Sequence, residues 1–484
     1  MISPSTDTDA LFRAEAARLL EVAPALFRRA LRTGGAWADL FAERTAHHRL
    51  SMRGKASGGR VRFGKPVVAA DLVAGTGLRV ARGAAFGYAA TAAGEPAAWL
   101  AMAEDAAARL KPGAARAECV PCEMPDLPDL PPDAPDVVAV SEKTALLEAA
   151  VEAAFALDDR VARVSAEYHD RTRRTVVLTS EGHASATATM LLGLRVEVTL
   201  AGAGRSGTAF AVTGGACGFG HFFAHPAEEA ARAAVERARR LLDARPLAHG
   251  AMPVALAGGW GGVWLHEAAG HLLEADLVAA GASPWGGRRG EVVAASCVTL
   301  ADDPTLPGGR GSAPFDDEGA PTARTTLVEA GVLRSFLTDR RHAERLGLPR
   351  TGNARRQDYR HAPAPRMTNL TLAPGEASPE ELIAEIREGL YVRTAGSGVV
   401  RPAEDRFSFE VLEGRRIERG RLTHPVAGVR IEGAATDALA GIAAVGNDFR
   451  LDTARGVCEK DGQSVPVSVG MPTVLLHGLK VGGV

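Results

Sequence analysis

In the run Gly261-Gly262-Val263-Trp264-Leu265-His266-Glu267-Ala268-Ala269-Gly270-His271, two histidines and a carboxylate fall within six residues of an apolar, helix-prone segment. This is the chemistry of zinc-dependent hydrolases, in which imidazoles hold the metal and a glutamate works on a metal-bound water. The common zincin motif spaces its histidines at i and i+4, whereas here they stand at i and i+5. An α-helix turns by about 100° per residue, so side chains five apart diverge by roughly 140° and share no metal from a regular helix. A π-type turn, with its i to i+5 hydrogen bond, brings them to one side, and such turns often mark functional sites. Gly270 is the residue expected to ease that distortion. The spacing is therefore a rarer metal motif or no motif, the bland alternative being one capping and one surface histidine.

Three further blocks follow in order. Asp316-Asp317-Glu318-Gly319 comes after a Gly/Arg-rich loop, and Thr351-Gly352-Asn353-Ala354-Arg355-Arg356 leads to Pro365-Arg366-Met367-Thr368-Asn369. The last is Gly456-Val457-Cys458-Glu459-Lys460-Asp461-Gly462-Gln463. With the H-E-x-x-x-H segment, these blocks resemble the TldD/PmbA family of metallopeptidases across the C-terminal half. The resemblance implies that His266 and His271 are zinc ligands, that Cys458 is a third ligand from a distant loop, and that Glu267 is the catalytic glutamate. Three protein ligands leave a fourth position open for water. A thiolate is a strong donor that the metal itself deprotonates. Glu267 would act as general base on the zinc-bound water and pass the proton to the leaving amine. The chain departs from the family pattern at Leu272, Ala275 and Glu459, where glycines are expected, which adds bulk or charge beside the metal. Glu274 and Asp276 are either acceptors that orient a ligand imidazole or solvated helix carboxylates.

The bulk numbers leave room for this reading. A chain of 484 residues holds two or three domains with sizeable cores. A net charge of −2 gives no electrostatic reason to expect nucleic acid or an anionic membrane as partner. No signal pattern opens the chain, and no apolar run nears the ~20 residues that span a bilayer. The five cysteines are scattered and suggest no disulfide framework, so a cytoplasmic, reducing compartment is expected. Cys119-Val120-Pro121-Cys122 lies in a Pro/Asp-rich stretch without a second pair and reads as an exposed loop.

The elements that must position these residues follow from periodicity. Helices are expected over 8–32, 94–110, 139–157 and 226–244, and short strands over 38–42, 60–63, 78–81 and 85–89. Longer strands are expected at 161–169, 173–180, 185–200 and 207–213. This reads as an α+β fold: an N-terminal domain over residues 1–247, an antiparallel sheet backed by helices, and a strand-rich C-terminal domain over 248–484 that carries the metal-binding helix. In the second domain a mobile loop is expected at 281–290 and short helices at 338–346 and 378–388. Its strands are expected at 292–299, 325–329, 332–337, 367–372, 407–413, 416–419, 426–431 and 474–479.

The leading functional expectation is a zinc peptidase acting on unfolded or extended peptides, with one Zn2+ per active subunit. The family resemblance adds leader-peptide or modified-peptide processing. It also adds pairing as a homodimer, or as a heterodimer with a related subunit that lacks the metal motif. The alternatives are a zinc-dependent amide hydrolase with a narrowed pocket for a small biosynthetic intermediate, and a non-catalytic partner subunit. Arg355, Arg356, Tyr359, His361 and Arg366 form a polar cluster that reads first as a structural ion-pair network. Its other reading is a group that polarises the scissile carbonyl or binds a peptide carboxylate. His47, His48, His221 and His225 read as surface or core histidines.

Overall fold

The computed structural model describes residues 6–57, 60–113, 117–202, 204–401, 404–426 and 428–483. The N-terminal half is one antiparallel sheet covered on one face by four long helices and a single turn at His221–Ala224. Its strands are β1 (Trp37–Ser57), β2 (Arg60–Phe63), β3 (Val67–Arg82), β4 (Ala85–Thr91), β5 (Val161–Thr179), β6 (Ala184–Gly202) and β7 (Arg205–Gly215). They run in the order β4-β3-β1-β5-β6-β7, with β2 folded back on the end of β1. The helices are α1 (Thr6–Leu31), α2 (Pro96–Arg109), α3 (Val140–Leu157) and α4 (Ala227–Leu242).

Side chains alternate across a strand, and that alternation divides the sheet into two chemistries. Leu40, Leu50 and Met52 of β1, Val164 and Ala166 of β5, and Leu194, Val196 and Val198 of β6 are buried in apolar clusters with the helices. The residues between them, such as Glu43, His47 and Arg49 on β1 and Glu167, His169, Arg171 and Arg173 on β5, face the other way, toward the C-terminal half.

In the C-terminal half, β8 (Gly250–Leu256), β9 (Glu388–Arg401), β10 (Arg406–Glu418), β12 (Val429–Ala434) and β15 (Val474–Gly483) pair in a closed ring. The strand β11 (Arg421–Val426) extends β10. A second sheet of six short strands includes Leu300–Asp302, Asn369–Leu372 and Ser468–Met471. Between the two lies the main core, with Trp264, Leu265, Leu272, Trp285 and Met367 fully buried. The hairpin β13 (Val457–Lys460) and β14 (Gln463–Pro466) stands apart and carries Cys458.

The architecture is α+β, as expected, and several element boundaries are corrected. The expected break between 169 and 173 is absent, because β5 runs unbroken through Asp170-Arg171-Thr172-Arg173-Arg174. All of those charges but Arg171 are ion-paired, Asp170 with Lys143 and His48, Arg173 with Glu43 and Asp317, and Arg174 with Asp136, while Arg171 donates to the Gln357 carbonyl. The two strands expected at 407–413 and 416–419 are one, and the strand expected at 426–431 is split between β11 and β12. Residues 292–299 form no strand beyond a single bridge from Val292 to Val332. The loop at 281–290 is pinned, since Trp285 is fully buried and Ser283 Oγ donates to the Leu272 carbonyl at 2.6 Å. No helix among the described residues is long and apolar enough to cross a membrane.

Candidate metal centre

The segment that carries the histidines is irregular in the way their spacing requires. A short α-turn (Val263–Leu265) passes into a π-helical turn (His266–Gly270) and then a 3₁₀ turn (His271–Leu273). The His271 N–H donates to the His266 carbonyl, the i to i+5 bond of a π-turn. The rings therefore share a side, with centroids 4.8 Å apart and planes at 85°. Leu265, Ala268, Ala269, Leu272 and Leu273 are buried around the rest of the segment, so the turn is held on every side but the one that Glu267 presents to open space. The expected role of Gly270 is corrected. Its φ of −55° is ordinary helical backbone, and what it supplies is space: a Cβ there would meet Met367 Sδ at 2.0 Å.

Cys458 reaches the pair from β13, and Asp461-Gly462, both with positive φ, form the two-residue turn of its hairpin. Alternation along β13 turns Cys458 and Lys460 inward and Val457 and Glu459 toward open space. Cys458 Sγ lies 3.9 Å from His271 Nε2, and one ligand atom from each of His266, His271 and Cys458 falls within 4.8 Å of the others. A tetrahedral zinc with bonds of about 2.0–2.3 Å would place sulfur and nitrogen donors about 3.5 Å apart. The cluster is thus a small contraction from a metal-bound geometry. Two imidazoles and a thiolate are a borderline-soft set suited to zinc. All three residues are buried, and Nδ1 of His266 has no hydrogen-bond partner, as a donor set built for something else would leave it.

The surroundings hold the set in charge and in orientation. Glu274 Oε2 accepts from His271 Nδ1 at 2.9 Å, which leaves Nε2 to face the thiol. Lys460 Nζ binds Glu274 at 2.9 Å, Asp276 at 2.8 Å and the Pro365 carbonyl at 2.8 Å. Arg366, fully buried, donates to Cys458 Sγ at 3.4 Å and to the Cys458 carbonyl. Burial alone would push the Cys458 thiol up, but the charges of His271 and His266 hold it well below its ordinary value. Burial likewise opposes a charged His271, and Glu274 and Cys458 outweigh it and raise its pKa well above the usual imidazole range. Burial also disfavours the Glu274 carboxylate, which Lys460 and His271 nonetheless keep strongly ionised.

Several expectations are refined here. Glu274 is a buried acceptor for a candidate ligand, not a solvated carboxylate, while Asp276 serves Lys460. Leu272 and Ala275 point into the core and add no bulk beside the cluster, whereas Glu459 lines the open space. Within the polar cluster, Arg366 sits at the centre itself, Arg356 binds the Asp317 carbonyl, His361 binds Asp358 and Tyr359 packs on Phe41. Of the other histidines, His48 is buried against Asp170 and His221 contacts Thr213. Cys119 and Cys122 are free, the latter bonding to the Thr179 carbonyl. Lys460 was missed, although its place two residues beyond Cys458 in a strand assigns it the same face.

Glu267 and His271 line a cleft of about 960 Å³ between the β5–β7 face and the C-terminal half. Glu167, His169 and Phe210 stand on one wall, and Trp260, Gly396 and Val399 on the other. Gly398 of β9 lies directly against Glu267, where a Cβ would come within 2.7 Å of its Cγ. No sequence signal marks this glycine. The β9–β10 register shifts between Thr394 and Gly398, a bulge of the kind found beside active sites.

Two family profiles match the chain: the PmbA/TldA metallopeptidase C-terminal domain over residues 249–483 and the central domain over 133–242. A metalloprotease TldD homolog of Haemophilus influenzae is 35% identical over 347 residues, which cover 71% of this chain and 72% of that one. A zinc metalloprotease TldD homolog of Saccharolobus solfataricus is 36% identical over 235 residues, 48% of this chain and 52% of that one. Among solved structures, a candidate modulator of DNA gyrase from Thermotoga maritima superposes with a TM-score of 0.74 at 24% identity, covering 96% of this chain and 99% of that one. TldE from Thermococcus kodakarensis superposes with a TM-score of 0.69 at 18% identity, covering 95% and 99%.

Proposed function

This chain belongs to the PmbA/TldD metallopeptidase family, and we propose that it hydrolyses peptide bonds of extended peptides at a zinc centre held by His266, His271 and Cys458. One observation carries the reading: a buried two-imidazole, one-thiolate cluster opens, with Glu267 beside it, onto a cleft of about 960 Å³. Zinc held there would acidify water and polarise the scissile carbonyl.

The remaining steps belong to this chain's own groups. Glu267 takes the proton of the attacking water and returns it to the departing amine. Glu274 fixes the His271 tautomer, and Lys460 neutralises the carboxylate that does so. Arg366 spreads the charge of the thiolate through its donation to Sγ. Gly398 leaves the room in which Glu267 stands. Beyond Val392 one edge of β9 is no longer paired with β8 and lines the cleft, and an extended peptide can dock by pairing with such a free edge. A space of this volume has room for an extended peptide, and turnover of an unfolded-protein digest against capped dipeptides separates this reading from the small-intermediate alternative. A reducing, cytoplasmic setting suits a site whose ligand must remain an unoxidised thiolate.

A partner subunit is part of the proposal. Around the tip of β1–β3, Val61, Phe63, Val68 and Leu72 are exposed on the helix-covered face of the sheet, apolar surface of the kind that marks a protein interface. A related subunit fits it, either a second copy or a sister chain without the metal motif. Native mass measurement of the protein from its own host decides between them.

The catalytic reading is tested with zinc-loaded protein and an unfolded-protein digest. Glu267→Gln should keep its zinc and lose turnover by at least about 100-fold. Full hydrolysis by that variant would sink the mechanism.

A further inference from the structure

The cleft does not end at the metal centre. Arg310, in the loop Gly308-Gly309-Arg310-Gly311, stands where three spaces meet. They are the cleft itself, a second space of about 620 Å³ between β1, β5 and the Cys458 hairpin, and a small cavity of about 50 Å³. Its Nε donates to the Gly456 carbonyl at 3.2 Å, two residues before Cys458.

The small cavity is lined by four guanidinium groups, from Arg171, Arg173, Arg310 and Arg355, facing Asp316 and Asp317. Arg173 is charge-paired, with Glu43 at 3.2 Å and Asp317 at 3.0 Å. Among the described residues, Arg171, Arg310 and Arg355 make no direct ion pair, and carboxylates act on them only at longer range, Glu43 and Asp317 on Arg171, Asp452 on Arg310, and Asp317 and Asp302 on Arg355. Their side chains donate to main-chain carbonyls of Gln357, Gly456 and Met367. Arg171 Nε and Arg310 Nη1 are buried without any hydrogen-bond partner. Asp316 offers little compensation, because burial beside Glu318 raises its pKa well above the carboxylate range and its oxygens already accept three backbone N–H groups.

Buried cationic donors left unpaired are costly, and a guanidinium's planar fork matches a carboxylate. We propose that Arg310, backed by Arg171 and Arg355, forms a carboxylate-binding subsite of the cleft. On the peptidase reading above, on which this rests, it selects substrates carrying an anion within a few residues of the scissile bond. That carboxylate is an acidic side chain or the free C-terminus of the peptide. The chain's net charge of −2 gives no general attraction for acidic peptides that would mimic such a preference.

The test uses zinc-loaded full-length Glu267→Gln protein and fluorescence anisotropy with four labelled peptides of one sequence. They carry Glu or Gln side chains, each with a free or an amidated C-terminus. An acidic-side-chain source predicts that Glu peptides bind about tenfold tighter than Gln peptides whatever the terminus, and a terminal source predicts the same factor for free acids over amides. Adding R310Q should bring all four within about twofold, while R310K should retain part of the preference. Four peptides that bind alike, none that binds, or a preference that survives R310Q overturns the proposal. The four-peptide comparison needs no change at Arg310, so it decides even where R310Q fails to fold. Hydrolysis of the neutral Gln amide by the unsubstituted protein reports separately on the peptidase reading.

Discussion

At the scale of single residues, the site depends on side chains that touch ligands rather than substrate. Glu274 is fully buried and faces His271 Nδ1, so Glu274→Gln removes a charge without removing shape. Zinc affinity should fall by about 10–100-fold, measured by competition with a chelator. An affinity unchanged by the substitution would reduce Glu274 to a packing residue. Gly398→Val acts on the other partner, since its new side chain overlaps Glu267. Turnover should drop by about 100-fold or more with zinc content unaltered, and loss of zinc instead would mean that the glycine supports the ligands. The candidate ligand set was legible because His266, Glu267 and His271 are adjacent and Cys458 lies in a distinctive block. Lys460, Gly398 and Arg310 were not, because their roles come from contacts between segments far apart in the chain.

At the scale of elements, the π-turn is the device that turns an i, i+5 spacing into a chelating pair. Its tight contact with Met367 makes a specific prediction. Gly270→Ala should destabilise the fold by about 1–3 kcal/mol, and Met367→Ala in the same chain should recover part of that loss. Calorimetry on the single and double variants checks it, and an unperturbed melting temperature in the single variant would contradict the packing. The π-turn was readable from histidine spacing alone. The long strands were not. In β1 only Ala38 to Ala42 stood out, since Glu43, His47 and Arg49 beyond them face the cleft side rather than a core. In β5 the run of charges looks like a turn until Lys143, Glu43, Asp136 and Asp317 are seen to partner it. Residues 292–299 show the converse: an apolar composition that packs as coil.

At the scale of the whole molecule, buried charges join the two halves. Arg79 of β3 bonds Asp39 and Glu318, each at 2.6 Å, with both of its partners buried. Arg79→Leu strands those carboxylates and should cost about 3–5 kcal/mol, read in denaturant unfolding. The cleft adds a pH dependence. Burial, reinforced by Arg171 and Arg310 respectively, lowers His47 and His169 to about 4 from 6.5. The unfolded chain therefore binds more protons between those values, so this stability is present above pH 6.5 and lost as pH falls toward 4. The melting temperature should drop over that window, and His169→Gln should flatten the slope. The metal centre has the same long-range character, because Cys458 lies 187 residues from His271 and only the assembled C-terminal half brings them together. X-ray absorption at the zinc edge probes that assembly most directly. One bound zinc is expected, with a single sulfur at about 2.3 Å and nitrogen or oxygen neighbours at about 2.0–2.1 Å, the sulfur vanishing in Cys458→Ala. A zinc-free protein, or a first shell that keeps its sulfur in that variant, would contradict it.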